Sequence, residues 1–394
     1  MSKLEELLNK ECPDGVEYVE LSSVINYEQP SKYIVENTKY NDDYDTPVLT
    51  AGQTFILGYT NEKDGIYKAS KKEPVIIFDD FTTSFHWVDF NFKVKSSAMK
   101  MLKVIDENKS NFRYLYYCMK NIKYVPLDHT RQWIEKYSKF MIPLPPIKVQ
   151  KEIVRILDTF TKYQDLLNRE LELRKKQYEY YRDKLLTFGD EVEYRTVGDV
   201  GLVTKLAGFE FTKYVTYSNK GKIIALRGLN VKNGRLNLDE VKYIDESDLT
   251  KLTRSKLYID DMLFTYVGTI GEVALIDEND KYYLAPNVAL IRFDKKIILP
   301  KFMRYYFQSN IFFNTQINKL LQSSSMKNIP MEKIRKFLVP VPPLEEQERI
   351  VNILDKFDAL CNDITKGLPA EIELRKKQYE YYRDKLLTFK EKKK

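Results

Sequence analysis

One stretch of this chain occurs twice, and that repetition restricts the fold more than any other feature. Residues 170–188 read E-L-E-L-R-K-K-Q-Y-E-Y-Y-R-D-K-L-L-T-F, and residues 371–389 repeat them with one change, Ile372 in place of Leu171. A second matched pair stands upstream of each copy. Ile142-Pro-Leu-Pro-Pro146 is echoed by Val339-Pro-Val-Pro-Pro343, and Gln150-Lys-Glu-Ile-Val-Arg-Ile-Leu-Asp158 by Gln347-Glu-Arg-Ile-Val-Asn-Ile-Leu-Asp355. A fainter echo, Val16-Glu-Tyr18 and Val192-Glu-Tyr194, opens each half. The plan is a variable segment, a proline pair and a helical stretch, then the same again.

The stretches after the prolines have helical periodicity. After Pro146, apolar residues at Ile153, Ile156, Phe160, Tyr163 and Leu167 step by three and four, the spacing of a coiled-coil seam. A four-residue shift then moves the seam to Leu171, Tyr178, Tyr181, Leu185 and Phe188. No glycine or proline interrupts residues 147–188, which predicts a rod of roughly 60 Å. The second copy repeats the seam at Ile350, Ile353, Phe357 and Leu360. There Gly367-Leu-Pro369 should break or kink it before Ile372, Tyr379, Tyr382, Leu386 and Phe389 resume. Two alike seams in one chain can supply each other: packed antiparallel, they would bury both and hold the halves at a fixed distance. Seam packing gives no reason for the surface to be duplicated too. Yet Arg174, Lys175, Lys176, Glu179, Arg182 and Asp183 recur as Arg375, Lys376, Lys377, Glu380, Arg383 and Asp384. Two equivalent surfaces predict two equivalent partners about a pseudo-twofold axis.

Residues 1–141 and 189–338 differ strongly from each other. Both alternate β-branched and aromatic runs with turn residues, as at 74–78, 222–226, 261–265 and 288–292, and both hold short aromatic helical stretches, at 112–118 and 302–307. The expected fold class is α/β: two mixed α/β domains separated by two long antiparallel coiled-coil helices, with a pseudo-twofold internal repeat. Net charge is a modest +7, so its distribution matters more than its sum. Lys205, Lys213, Lys220, Lys222, Arg227, Lys232 and Arg235 face a single acid, Glu210, within residues 201–235. With Asn230 and Asn233, they offer a loop surface for phosphate contact in which Arg and Asn can read guanine and adenine edges. In the first half, residues 36–90 are acidic and the positive charge falls in 91–140.

Several function classes drop out. No apolar stretch approaches the ~18 residues of a membrane helix, so no membrane partner is expected. The opening Met-Ser-Lys-Leu-Glu-Glu has no apolar signal core, which points to the cytoplasm. Cys12, Cys118 and Cys361 are scattered and odd in number, against a disulfide framework or a zinc knuckle. Two histidines, His86 and His129, are too few for a histidine-rich metal centre, and no metal site is expected. No P-loop or dinucleotide fingerprint occurs. Leu144 and Val341 precede the proline pairs, where an amino-methyltransferase would place Asn or Asp. Val267-Gly-Thr-Ile-Gly271 reads as a tight turn, and His86 as a packed residue. No enzyme is expected.

The order of these elements resembles the specificity (S) subunit of type I restriction–modification enzymes. The resemblance rests on residues 142–154, residues 339–351 and the twin segments. Residues 261–275 and 287–292 also resemble a target-recognition domain of that family. It implies target-recognition domains at 1–146 and 189–343, each binding one half of a bipartite, asymmetric site in double-stranded DNA. Residues 147–188 and 344–394 would be conserved helical spacers that set the gap between half-sites. They would also dock two methyltransferase subunits, which bring S-adenosylmethionine and flip out the target adenine. Two motor–nuclease restriction subunits, using ATP and Mg, would complete the assembly. The chain itself would hold no cofactor and catalyse nothing.

On the same resemblance, DNA contacts in the first domain fall to Gln53, Thr54, Thr82, Thr83, Ser84, Lys95, Thr130 and Arg131. In the second they fall to Lys205, Arg227, Asn230, Lys232, Asn233, Arg235, Thr269, Gln322, Ser324 and Lys327. Thr130 and Arg131 correspond to Lys327 and Asn328, counting back from the proline pairs. Partner docking falls to Arg174, Lys175, Tyr178, Tyr181 and Arg182 and to their counterparts Arg375, Lys376, Tyr379, Tyr382 and Arg383. A non-catalytic coiled-coil scaffold that binds proteins is the alternative, and it predicts a DNA-free, salt-insensitive complex. DNA binding through several Lys and Arg should weaken steeply with salt. An enzyme with an unrecognised site would have to turn over as an isolated chain.

Overall fold

Each proline pair stands between a strand and a helix. Met141–Pro143 and Leu338–Pro340 are short strands, and helices start at Ile147 and Leu344. Proline supplies the extended backbone before a helix and needs no amide partner there. The computed structural model describes residues 3–52, 54–206, 208–322 and 328–392, and for Gln322 the backbone alone. The chain falls into two units, residues 1–166 with 372–394 and residues 167–371. Each unit combines one variable segment, the start of the helix that follows it and one copy of the twin segment.

Helix Ile147–Leu185 runs unbroken from one unit into the other. Its counterpart is split into Leu344–Asn362 and Leu368–Leu386, at the expected Gly-Leu-Pro. A Cβ on Gly367 would strike the Ala359 carbonyl oxygen. Pro369 sits in the first turn of the second piece, where no N–H bond is required.

Within each unit the helices pack antiparallel. In the first, Phe160 stacks on Tyr382 at 5.5 Å and the Arg375 guanidinium lies 5.4 Å from the Tyr163 ring, so one helix advances as the other retreats. In the second, Phe357 meets Tyr181 at 5.7 Å and Tyr178 at 6.3 Å. The deepest burial falls only partly on the expected seam, at Ile153 and Ile350, and partly beside it, at Val149, Leu157 and Leu354. Val149, Ile153 and Leu157 are fully buried against the first unit's own sheet domain, and Ile350 and Leu354 do the same in the second. Ile156 and Phe160 are only half-buried, and Tyr163 is exposed. Periodicity gave one stripe where the helix has two, because the same turns also roof a domain core.

The first unit holds a four-stranded antiparallel sheet in the order Ile25–Glu28, Met99–Val104, Val75–Asp79, Phe85–Val88. The second repeats it as Gly201–Lys205, Val288–Phe293, Met262–Thr265, Val273–Leu275. Beside each lies a three-stranded sheet with one parallel pair, Thr46–Leu49 with Lys93–Val94 and Ile224–Leu226 with Tyr282–Leu284. The central strands are near-continuous apolar runs, Val75–Phe78 and Met262–Phe264, because alternate side chains feed two different cores, one on each face of the sheet.

Buried glutamines tie sheet domain to helix in matching ways. Gln150 accepts from the Asn111 amide at 2.8 Å and donates to Lys109 O and Pro145 O at 3.0 and 2.7 Å. Gln347 accepts from the Leu299 amide at 2.7 Å and donates to Ile297 O and Pro342 O at 3.1 and 2.7 Å. Asp158 and Asp355 likewise each accept a tyrosine hydroxyl, from Tyr117 and Tyr305, at 2.5 Å. Among the described residues no helix is long and apolar enough to cross a membrane.

Candidate nucleic-acid interface

At one end of the first unit's four-stranded sheet, four loops are stitched together. Asp79 caps the turn after its strand, its carboxylate accepting from the Phe81 and Thr82 amides at 2.8 Å. Thr83 takes a positive φ of 60° to close that turn. Ser84 donates to Ala51 O at 2.6 Å, and the Lys95 amide donates to Leu49 O at 3.1 Å. The Asp80 amide donates to Ala98 O at 3.0 Å, and Asp80 O accepts from the Gln132 amide at 2.7 Å. Thr54, Thr82, Ser84, Lys95, Thr130 and Arg131 are therefore brought to one face. Thr54, Thr82, Lys95, Thr130 and Arg131 are exposed there. Thr83 differs: its side chain is buried and donates to Thr82 O at 2.7 Å, so it shapes the turn and cannot reach a ligand. Gln53 lies outside the described residues. His86 is packed as expected, stacked on Phe55 at 4.5 Å with Nε2 2.9 Å from Gly52 O.

A buried ion pair stands behind this face. Lys100 and Asp80 are both almost wholly buried, with the ammonium 3.4 Å from Asp80 Oδ2 and 4.7 Å from the Tyr27 ring. The other Asp80 oxygen accepts from the Trp133 amide at 2.8 Å. Asp128 organises the neighbouring loop. It accepts from the Thr130 hydroxyl at 2.6 Å, the Gln132 amide group at 3.0 Å and Lys136 at 3.0 Å. Those donors, Thr130 foremost, hold its carboxyl well below the usual carboxylate range.

The second unit repeats the stitching. The turn between Met262–Thr265 and Val273–Leu275 is closed by the Thr265 hydroxyl donating to Thr269 O at 2.5 Å, with positive φ at Gly268 and Gly271. The Ile329 amide donates to Tyr266 O at 2.9 Å, and the Ala285 amide to Leu226 O at 3.1 Å. Lys205 and Thr269 are exposed at this end, with the Lys205 ammonium 5.7 Å from the Tyr266 ring. Asn328, bridged to Val267, and Asn287, at φ 69°, join them. Neither was singled out as a contact, although Pro286-Asn287 is a turn signal of the kind that puts asparagine in the left-handed region. Ser324, Lys327 and the Gln322 side chain lie outside the described residues.

The basic stretch 201–235 does not form one surface. Asn230 is fully buried, accepting from the Arg227 amide at 3.1 Å and donating to Asn237 O and Glu240 O at 2.8 and 2.9 Å. It is the internal brace of its loop, and with no free polar atom it cannot read a base. Arg227 is half-buried and donates to Glu240 O at 3.1 Å. Asn233-Gly234, at φ 52° and 78°, form the two-residue turn of a hairpin between Val231–Lys232 and Arg235–Leu236. Arg235 turns back onto helix Leu344–Asn362 and pairs with Asp358 at 2.9 Å. Lys232, Asn233 and Arg235 line a cleft of about 580 Å³ together with Lys175, Tyr178 and Arg182. Residues expected to serve different ligands thus share one wall.

The twin segments present matching outer faces. Tyr178 is buried, its hydroxyl pushed up to about 12 chiefly by desolvation. Arg182 lies over the Tyr178 ring and Arg383 over the Tyr379 ring, at 5.6 and 5.8 Å. Arg174 and Arg375 donate to Gln177 and Gln378 at 2.9 and 3.0 Å. Tyr178, Tyr379, Arg182 and Arg383 therefore brace the segment from within, whereas Lys175, Lys376, Tyr181 and Tyr382 are exposed. The most exposed apolar side chains of the segment were not among those expected: Tyr180 and Tyr381 are 61% and 62% exposed, Leu173 and Leu374 56% and 66%. Their seven-residue spacing is a helical stripe. Among the described residues no group of three or more His, Cys, Asp or Glu could hold a metal ion.

Comparison with known proteins agrees with this architecture. The model of the type I restriction modification DNA specificity domain matches twice, at residues 13–174 and 189–374. The EcoR124I/EcoR124II specificity subunit of Escherichia coli is 42% identical over 99% of this chain and 97% of its own length. A putative type I specificity subunit of Haemophilus influenzae is 32% identical over 86% of each chain. Two solved structures share the fold at low identity. The S subunit of the M. genitalium system has a TM-score of 0.56 at 13% identity, covering 95% of this chain and 96% of its own. A chain from a study of complex assembly and conformational transition of the type I system has a TM-score of 0.60 at 14% identity, covering 95% of this chain and 98% of its own. The chain belongs to the type I restriction modification DNA specificity family.

Proposed function

We propose that this chain is the DNA sequence-specificity subunit of a type I restriction–modification complex. The observation that carries this is the pairing of one strand order with two different loop sets. Two like scaffolds with unlike loops suit a bipartite, asymmetric site whose halves are read separately. Residues 1–146 and 189–343 act as the target-recognition domains, with 147–188 and 344–394 as helical spacers. Thr54, Thr82, Ser84, Lys95, Thr130 and Arg131 face one half-site, and Lys205, Thr269 and Asn328 the other. The helices set the gap between the half-sites.

The duplicated stripe Leu173/Tyr180 and Leu374/Tyr381, flanked by Lys175 and Lys376, supports docking of two equivalent methyltransferase subunits, with two restriction subunits completing the complex. Aromatic and aliphatic side chains exposed in register are the anchors such interfaces use. The chain works in the cytoplasm and contributes no catalytic group. S-adenosylmethionine, ATP and Mg belong to the partners.

Adding one turn to helix Ile147–Leu185 tests the ruler. Sequencing of modified bases should show a longer tolerated gap with both half-sites unchanged, whereas altered bases within a half-site would defeat it. Binding to the site should also fall steeply with salt. A salt-insensitive, DNA-free assembly would favour the scaffold alternative.

A further inference from the structure

The loop that follows helix Phe112–Asn121 carries the most exposed large apolar side chain among the described residues. Leu127 is 98% exposed and Val125 77%, with Pro126 between them. A lone surface leucine needs no explanation. This one is different in how it is held. The next residue is Asp128, whose carboxylate gathers Thr130, Gln132 and Lys136, and Gln132 is itself fully buried and accepts from the Tyr124 hydroxyl at 2.7 Å. The backbone at Gln132 and Trp133 is then bonded to Asp80, in the turn that carries Thr82 and Ser84. The tip is thus braced from both sides and continuous with the candidate interface.

We infer that Leu127 is an apolar base contact for the half-site read by the first unit. This rests on the specificity-subunit reading. The chemistry around the tip selects nucleic acid: Lys123, His129 and Arg131 are exposed beside it, which suits phosphates on either side of an apolar point. An aliphatic group presented at such a point can do two things in a groove. It packs on a thymine methyl, or it enters a base step and unstacks it. Both remove the same side chain from water and depend on base identity, and neither adds charge. Pro126 and the Asp128 brace lower the ordering cost of presenting it.

The test uses the methylating complex with Leu127→Ala and Leu127→Lys. Because the side chain is exposed, both variants should keep the wild-type melting temperature. Leu127→Ala should lower selectivity by about tenfold at one or two neighbouring base pairs of the first unit's half-site. The other half-site and the slope of affinity against salt should stay unchanged. Leu127→Lys should lose the same selectivity. Uracil in place of thymine abolishes the difference between the wild-type and Leu127→Ala complexes if a methyl is read. Brightening of 2-aminopurine with the wild-type complex alone marks unstacking. Tighter binding to all DNA by Leu127→Lys with selectivity intact overturns the inference, as does loss of assembly with the methyltransferase in the absence of DNA. If the wild-type complex selects no bipartite site at all, it is the specificity-subunit reading that fails.

Discussion

Where the first unit places a lysine and an aspartate beneath its loops, the second places an alanine and a tyrosine. Lys100 pairs in register with Phe78, and Ala289 with Phe264. One strand over, Asp80 O accepts the amide of Gln132 and Tyr266 O accepts the amide of Ile329. That backbone bond recurs in both units, while the side chains behind it differ. The fold therefore asks these positions for a strand end and a carbonyl, and leaves the interior chemistry open. A buried ion pair is costly to desolvate and an apolar pair can replace it, so the charged solution in the first unit is not required for stability.

The largest effect that could break this comparison comes from Asp80→Ala, which leaves the Lys100 ammonium buried and unpaired. It should cost about 3–5 kcal/mol, read by chemical denaturation. Adding Lys100→Ala should return more than half of that. A double variant as unstable as the single one would mean that the two units are not interchangeable at this point. The paired glutamines sharpen it next. Gln150→Ala and Gln347→Ala each strand a buried amide and two carbonyls, and each should cost about 1–3 kcal/mol. Equal losses support equivalent anchors; a loss confined to one half argues that only that half needs its anchor. The smallest effect is Arg235→Ala. Its pair with Asp358 is partly exposed and contributes about 0–1 kcal/mol. Modified-base sequencing should show the second half-site unchanged, because the guanidinium faces the helix. Altered bases there would restore Arg235 to the interface.

Much of the architecture could be read in the sequence because repetition and helical period are properties of the chain itself. The proline pairs, the break at Gly367-Leu-Pro369, the strands near 75 and 262 and the turn at 267–271 all follow from local chemistry. The interface was harder. Thr82, Lys95 and Thr130 stand together only because Asp80 bonds to residues far along the chain, and no local pattern marks that. Composition misled at 201–235, where a basic run reads as a surface although Asn230 points inward and Arg235 turns to the helix. The seam was half right for a related reason: a helix that roofs its own domain and also meets another helix carries two apolar stripes, and a single periodicity fits only one.

The first unit takes its helical floor from two stretches far apart in the chain, residues 147–166 and 372–386, whereas residues 167–371 are contiguous. During synthesis the N-terminal sheet emerges first but waits for Leu386, Leu387 and Phe389, the last pieces of its core, to leave the ribosome. The later half can close before the earlier one, the reverse of the usual order of domain folding. Ile153 and Leu157 are covered by their own sheet in that interval, while Phe160 stays bare until Tyr382 arrives to stack on it.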